Sequence, residues 1–256
     1  MIDTTSLNNL ARAAAIDRYT ILREYIQILF LDNFYHAGAS RKIIFKGGTA
    51  LKILFGSPRF SEDLDFTTKL PQSAISRLVN QTITNLQAEA PGIRVKTIKS
   101  VAGFSQKISF PTDFTPIPLT IKLDFSAREP ALTNYQNTIT TNLPVFSSSL
   151  ITALSPEEIM AEKIRAITSR NKGRDIFDLW FLLKKSVRLD KKLITAKFRL
   201  YREKFSLAIL IGKIKQFDQK QLTRDITKFL PLNHRQVIPQ LKKLTIEALQ
   251  AYAVEA

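Results

Sequence analysis

Two aspartates separated by one residue, Asp63 and Asp65, are the side chains in this sequence best suited to chemistry. In an extended segment side chains alternate between faces, so the two carboxylates share one face while Leu64 and Phe66 take the other. Side by side they repel unless a cation joins them. Upstream, Gly47, Gly48 and Thr49 follow the apolar run Ile43, Ile44, Phe45 and precede Ala50, Leu51, Ile53 and Leu54, the pattern of a strand turning into a short helix. Glycines let the backbone approach a bulky anion, and the helix start behind them offers oriented N–H groups and partial positive charge. Thr49 adds a hydroxyl. A third carboxylate, Asp124, falls where Leu119, Ile121, Leu123 and Phe125 alternate with Thr120, Lys122, Asp124 and Ser126, the period of a half-buried strand.

Taken singly, a glycine pair is a turn, an Asp-x-Asp a solvated loop and a strand aspartate an exposed one. In this order, with a helix-length spacer, they make a phosphate cradle beside a cation site, the arrangement of a polymerase-β-like nucleotidyltransferase. Nucleotidyl transfer is an in-line displacement at the α-phosphorus of a nucleoside triphosphate, with pyrophosphate leaving. Two Mg²⁺ ions, or Mn²⁺ in their place, suit carboxylate and phosphate ligands and clamp the attacking and leaving oxygens. Asp63, Asp65 and Asp124 are the expected metal ligands, and Asp124 is expected to take the proton of the incoming hydroxyl. The glycine turn, Thr49 and Ser61 would hold the triphosphate, with Lys163 offering positive charge.

The elements that must position these groups follow from periodicity. Residues from about 6 to 35 read as helix in one or two segments, ended by Gly38, and Pro71 opens another helix that stops at Pro91 and Gly92. Strands are expected over 93–98, 104–110 and 117–125, then an irregular Thr-, Asn- and Ser-rich stretch over 130–149 that has room for one short strand. Ser155, Pro156 and Glu158 spell the start of a helix with a capping box. Asn171, Lys172 and Gly173 break that helix, and the next one places Asp175 and Asp178 one turn apart on one face. Trp180, among apolar positions, is expected in the core. From Lys191 onward the pattern is helical. The expected fold is α/β: a mixed, twisted sheet flanked by helices over residues 1–150, followed by an α-helical domain over 151–256 that supplies Lys163 and Asp175 to the cleft.

The motifs resemble those of the AbiEii/AbiGii (MenT-type) toxin nucleotidyltransferases. Gly-Gly-Thr-Ala-Leu with Arg59-Phe60-Ser61-Glu62-Asp63-Leu64-Asp65-Phe66 is similar to their first motif and Lys122-Leu123-Asp124 to the second. Ala161-Glu162-Lys163-Ile164-Arg165-Ala166 matches the third and Arg174-Asp175-Ile176-Phe177-Asp178-Leu179 the fourth. All four occur in order across about residues 44–183. The resemblance implies that Lys163 and Asp175 are needed for activity, and that Gly47, Gly48, Thr49, Arg59, Ser61 and Lys122 bind the nucleotide. In one subgroup the serine at the position of Ser61 is the target of an antitoxin kinase. The resemblance further implies a type IV toxin that uses Mg²⁺ and a nucleoside triphosphate to extend the 3′ end of tRNA, blocking translation, with a cognate antitoxin as partner.

Composition agrees with an intracellular enzyme that handles a polyanion. The 256 residues carry 38 Lys and Arg against 22 Asp and Glu, a formal charge of +16, and no cysteine. Of that excess, +11 lies from Lys184 onward, where 17 basic residues face six acidic ones. Lys191, Lys192, Lys197, Arg199 and Arg202 are the expected RNA-docking cluster. A cytoplasmic location and no membrane association are expected, since no apolar run spans a bilayer and the first ten residues lack a signal pattern; nothing in the sequence specifies an oligomeric state. Two rivals remain: the same chemistry on a small molecule or protein hydroxyl, which the basic second half disfavours, and a non-catalytic nucleic-acid- or antitoxin-binding module, which the intact aspartates disfavour. His36 and His234 are isolated and form no site.

Overall fold

The computed structural model describes residues 1–100 and 103–254, with side chains to residue 252. The chain divides into two compact units. The first comprises Met1–Gly56 and Phe60–Leu154; the second comprises Ser57–Arg59 and the chain from Ser155 onward.

In the first unit, α1 (Thr4–Ala13) and α2 (Arg18–His36) are each started by an aspartate, Asp3 and Asp17, whose carboxylate accepts from a backbone N–H three residues on. The expected single or double helix is thus two. The second ends at Ala37, before Gly38, which opens a short 3-10 turn. α2 buries residues all round rather than along one stripe, so it is a central core helix, and Ile26, Phe30, Leu31 and Phe34 are wholly inaccessible. Burial of each such side chain contributes about 1.5–3 kcal/mol. After it come β1 (Ile44–Lys46), α3 (Gly47–Phe55), β2 (Leu64–Thr67), α4 (Gln72–Leu86), β3 (Arg94–Ile98), β4 (Phe104–Thr112), β5 (Thr115–Ser126), β6 (Tyr135–Asn137) and β7 (Ile151–Ala153).

The seven strands form one mixed sheet in the order β3-β4-β5-β2-β1-β7-β6. At its centre β2 runs parallel to β5 and antiparallel to β1, pairing Asp65 with Asp124 on one side and with Lys46 on the other. The next residues along, Phe66 and Phe125, stack with ring centroids 5.0 Å apart on the opposite face, and Phe45 lies 5.5 Å from Phe66. Because side chains alternate with period two, this buried aromatic row fixes the face on which the aspartates emerge: a one-residue slip would exchange the two sets. The strand expected inside the irregular stretch is β6, an edge strand beside β7.

The second unit is helical, with α5 (Pro156–Ser169), α6 (Gly173–Lys184), α7 (Lys191–Arg199), α8 (Leu207–Gln216), α9 (Gln219–Thr227), a 3-10 segment over Leu232–Gln240 and α10 (Leu241–Val254). Ser155 caps α5 through the Glu158 N–H, as its sequence implies. Two expectations are corrected here. Trp180 is only half-buried, packing against Phe177 at 5.4 Å with the Lys184 ammonium 5.2 Å from its ring. Lys197, expected on an RNA-facing surface, is fully buried, with its ammonium 2.7 Å from Glu158 and 3.0 Å from Glu162. Periodicity places it on the inward face of α7, and the two carboxylates of α5 supply the counter-charge that makes a lysine tolerable there. Lys191, Lys192, Arg199 and Arg202 are exposed.

Candidate active site

The carboxylates come together on the first unit's sheet. Asp65 and Asp124 are direct neighbours on parallel strands, and Asp63 stands two residues before Asp65, just ahead of β2. Burial together with the negative charges of Asp65 and Asp124 pushes the Asp63 carboxyl up to about 6. That repulsion is what a bound cation would relieve. Lys122, on the same face of β5, lies 2.6 Å from the Asp124 Oδ2, and its ammonium is held above the usual lysine range by that hydrogen bond. The Ser105 hydroxyl, at the β4 position opposite Asp124, donates to Oδ1.

Among the described residues no three acidic, histidine or cysteine side chains stand in a ready coordination shell. The backbone nevertheless brings three hard oxygen donors to one patch, with Asp65 beside Asp124 in the sheet and Asp63 close enough to feel both charges. The donor set fits Mg²⁺ or Mn²⁺ and is unsuited to softer ions, having neither sulfur nor imidazole.

The glycine turn is built around Asp65. Gly47 has φ +81°, a left-handed value that glycine adopts freely, and a Cβ there would lie 2.5 Å from the Asp65 Oδ2. Any side chain at 47 would therefore displace the carboxylate. Gly48 is buried at the start of α3, whose N-cap residue Lys46 provides no side-chain cap, so an incoming anion meets no competing capping group from it. Thr49, expected at the phosphates, is instead buried, and its hydroxyl donates to the Asp63 carbonyl. It orders the aspartate loop. Ser61 is half-buried, with its carbonyl accepting from the Gln27 amide.

Arg59, Lys163 and Asp175 belong to a second cluster, within the second unit. The Arg59 guanidinium grips Asp178 through two nitrogens at 2.8 and 2.9 Å, and Lys163 reaches Asp178 at 2.7 Å and Asp175 at 3.0 Å. Arg170 closes the group with two hydrogen bonds to Asp175, at 2.8 and 3.0 Å. Burial disfavours ionisation of both aspartates, but the surrounding cations outweigh it, holding Asp175 down at about 2 and Asp178 below the ordinary range. Lys163 likewise keeps its charge despite burial, through Asp178 and Asp175. The i, i+3 spacing of the two aspartates placed both toward Lys163, as their common helix face requires.

Gln27, Ser105 and Arg170 escaped the sequence reading. A lone amide inside the apolar run Ile26–Leu31 was the signal for Gln27, since a buried amide needs partners. Ser105 was marked only by alternation with Phe104 on an expected strand.

A sheet carrying three aspartates beside a glycine turn and a helix start defines the nucleotidyltransferase class, and solved structures share this fold. MenT4, a nucleotidyltransferase toxin from Mycobacterium tuberculosis, matches with a TM-score of 0.66 at 17% identity, over 98% of this chain and 90% of its own. JHP933 from Helicobacter pylori matches with a TM-score of 0.58 at 20% identity, over 94% of this chain and 96% of its own. No curated protein matches the sequence. The profile of the family described as nucleotidyl transferase AbiEii toxin, type IV toxin-antitoxin system, matches residues 29–251, and the chain belongs to that family.

Proposed function

We propose that the protein transfers nucleotides from a nucleoside triphosphate to the 3′ end of tRNA, blocking aminoacylation and translation in the cytoplasm until a cognate antitoxin restrains it. The observation that carries this reading is the pairing of Asp65 with Asp124 on adjacent parallel strands, beside an Asp63 whose carboxyl is raised to about 6. Asp63, Asp65 and Asp124 hold the divalent cations, which when bound neutralise charge on the attacking and leaving oxygens. Gly47 and Gly48 give the triphosphate close backbone approach. Lys122 turns from Asp124 to the phosphates, and the Asp124 Oδ2 takes the proton of the acceptor hydroxyl. The acceptor's hydroxyl oxygen then bonds to the α-phosphorus as the bond to the pyrophosphate breaks. Lys163 and Asp175 are kept as residues needed for transfer on their places in the third and fourth motifs. The exposed Lys191, Lys192, Arg199 and Arg202 support a polyanionic acceptor over a cationic small molecule.

Incubating the purified protein with total RNA, Mg²⁺ and each radiolabelled nucleoside triphosphate in turn tests the assignment. Label should enter the tRNA band, and should vanish with a chelator or with Asp65→Ala. Label appearing in protein or in small molecules instead would reassign the acceptor, and no transfer to any fraction would remove the catalytic reading.

A further inference from the structure

The loop that presents the aspartates is held by three consecutive backbone carbonyls. Gln27, only 2% exposed on α2, donates from its side-chain nitrogen to the Ser61 carbonyl at 3.1 Å and to the Glu62 carbonyl at 3.0 Å. A carboxamide nitrogen carries two hydrogens, so these two bonds use its full donor capacity. The next carbonyl, that of Asp63, accepts from the Thr49 hydroxyl on α3. One turn before Gln27, the Arg23 guanidinium lies 3.4 Å from the Glu62 carboxylate and braces the same dipeptide. Residue 27 also lies outside the stretch matched by the family profile, which begins at residue 29.

We propose that Gln27 is a positioning residue for the aspartate site: with Thr49 it fixes the peptide planes from Ser61 to Asp63, and so sets the angle at which Asp63 and Asp65 meet a divalent cation. The inference rests on the metal-site reading above. Metal ligands tolerate misplacement of only about half an ångström, and a loop leading into a strand does not supply that rigidity unaided. Gln27 and Thr49 come from two different helices, so together they restrain both the position and the rotation of the loop. A buried amide in an apolar helix merely needs some partner; here its partners are the two carbonyls immediately before the first ligand.

Mn²⁺ binding followed by electron paramagnetic resonance, with thermal melting of the metal-free proteins as control, tests this on the full chain. Gln27→Met keeps the volume and removes both donors; Thr49→Val removes the hydroxyl, whereas Thr49→Ser restores it. We expect Gln27→Met and Thr49→Val to weaken Mn²⁺ binding by about 10-fold or more, the range for outer-shell partners of metal ligands. Thr49→Ser should bind as the wild type does. Wild-type affinity in Gln27→Met would overturn the role of Gln27, whatever Thr49→Val does, and leave the metal site standing. Absence of Mn²⁺ binding by the wild type itself would overturn the metal reading and the clamp with it. Should Gln27→Met fail to fold, Gln27→Leu, which also lacks both donors, decides for residue 27, and the Val and Ser variants at position 49 decide for the threonine half of the clamp.

Discussion

Two of the charge clusters among the described residues are opposites. In the helical unit Asp175 and Asp178 are buried but matched by Arg59, Lys163 and Arg170, and both carboxyls are held below their ordinary range. On the sheet three carboxylates crowd together: Lys122 holds Asp124, while Asp63, beside the negative charges of Asp65 and Asp124, is raised to about 6. A cluster that satisfies itself contributes to the fold it sits in. A carboxyl pushed up by burial and like-charged neighbours is held there by the strands around it, and that repulsion is what a cationic ligand can relieve.

The most severe test of this contrast removes a sheet aspartate. Asp63→Ala or Asp65→Ala should lower nucleotidyl transfer on the order of 10³-fold, while in Asp63→Ala the melting temperature holds or rises because repulsion is relieved. A fall in stability comparable to the fall in activity would mean that these carboxylates are structural.

Breaking the satisfied cluster should do the reverse. Asp178→Ala leaves Arg59 and part of Lys163 buried without their partner, and should cost about 3–5 kcal/mol of stability in denaturant unfolding. A double change, Arg59→Met with Asp178→Leu, should recover much of that loss. A loss below about 1 kcal/mol for Asp178→Ala would show that the cluster is solvated in practice.

The two clusters should also respond to pH in opposite senses. Asp175 has a lowered carboxyl, so its stabilisation is complete above about pH 4 and is lost as pH falls toward 2. Asp63 has a raised carboxyl, so the folded protein holds its proton longer than the unfolded chain does. Its ionisation therefore destabilises the fold progressively between about pH 4 and 6, by on the order of 1–2 kcal/mol. Asp63→Asn should match the wild type below about pH 4 and exceed it by that amount at pH 7, measured as unfolding free energy across the range. Equal stability at both pH values would sink the repulsion argument.

The smallest effect per residue is expected at the surface. Replacing Lys191, Lys192, Arg199 and Arg202 together with Gln should flatten the log-log salt dependence of tRNA affinity by about three. The thermal midpoint should move little, and metal binding should stay unchanged. An unaltered salt slope would clear this cluster of RNA docking while leaving the sheet site untouched.

Much of the site was legible because its logic is local. Alternation in Leu119–Phe125 placed Asp124 correctly on a strand, and Gly47 and Gly48 announced the turn at the start of α3. Asp175 and Asp178 followed from helix periodicity. What escaped depended on partners distant in sequence. Thr49 resembles a phosphate ligand because its neighbours are glycines; the partner of its hydroxyl is a carbonyl 14 residues on. Lys197 looked like its basic neighbours, and only the packing of α7 against α5 reveals Glu158 and Glu162 beside it. Gln27 donates across 34 and 35 residues to backbone atoms, which leave no mark in the pattern of side chains.

The β2–β5 register has a kinetic consequence. Asp65 and Asp124 are 59 positions apart in the chain, yet adjacent in the sheet. Parallel pairing across such a loop forms later than local helices do, and here it must also bring like charges together. The aromatic row of Phe45, Phe66 and Phe125 is the driving force that makes this encounter favourable. Catalytic competence should thus emerge near the end of folding: a ribosome-bound chain ending before β5 lacks Asp124 altogether, and one that has collapsed without the Phe66–Phe125 stack has its aspartates on separate strands. A toxin assembled in this way would stay inactive at least until synthesis has passed β5 and the two strands have paired.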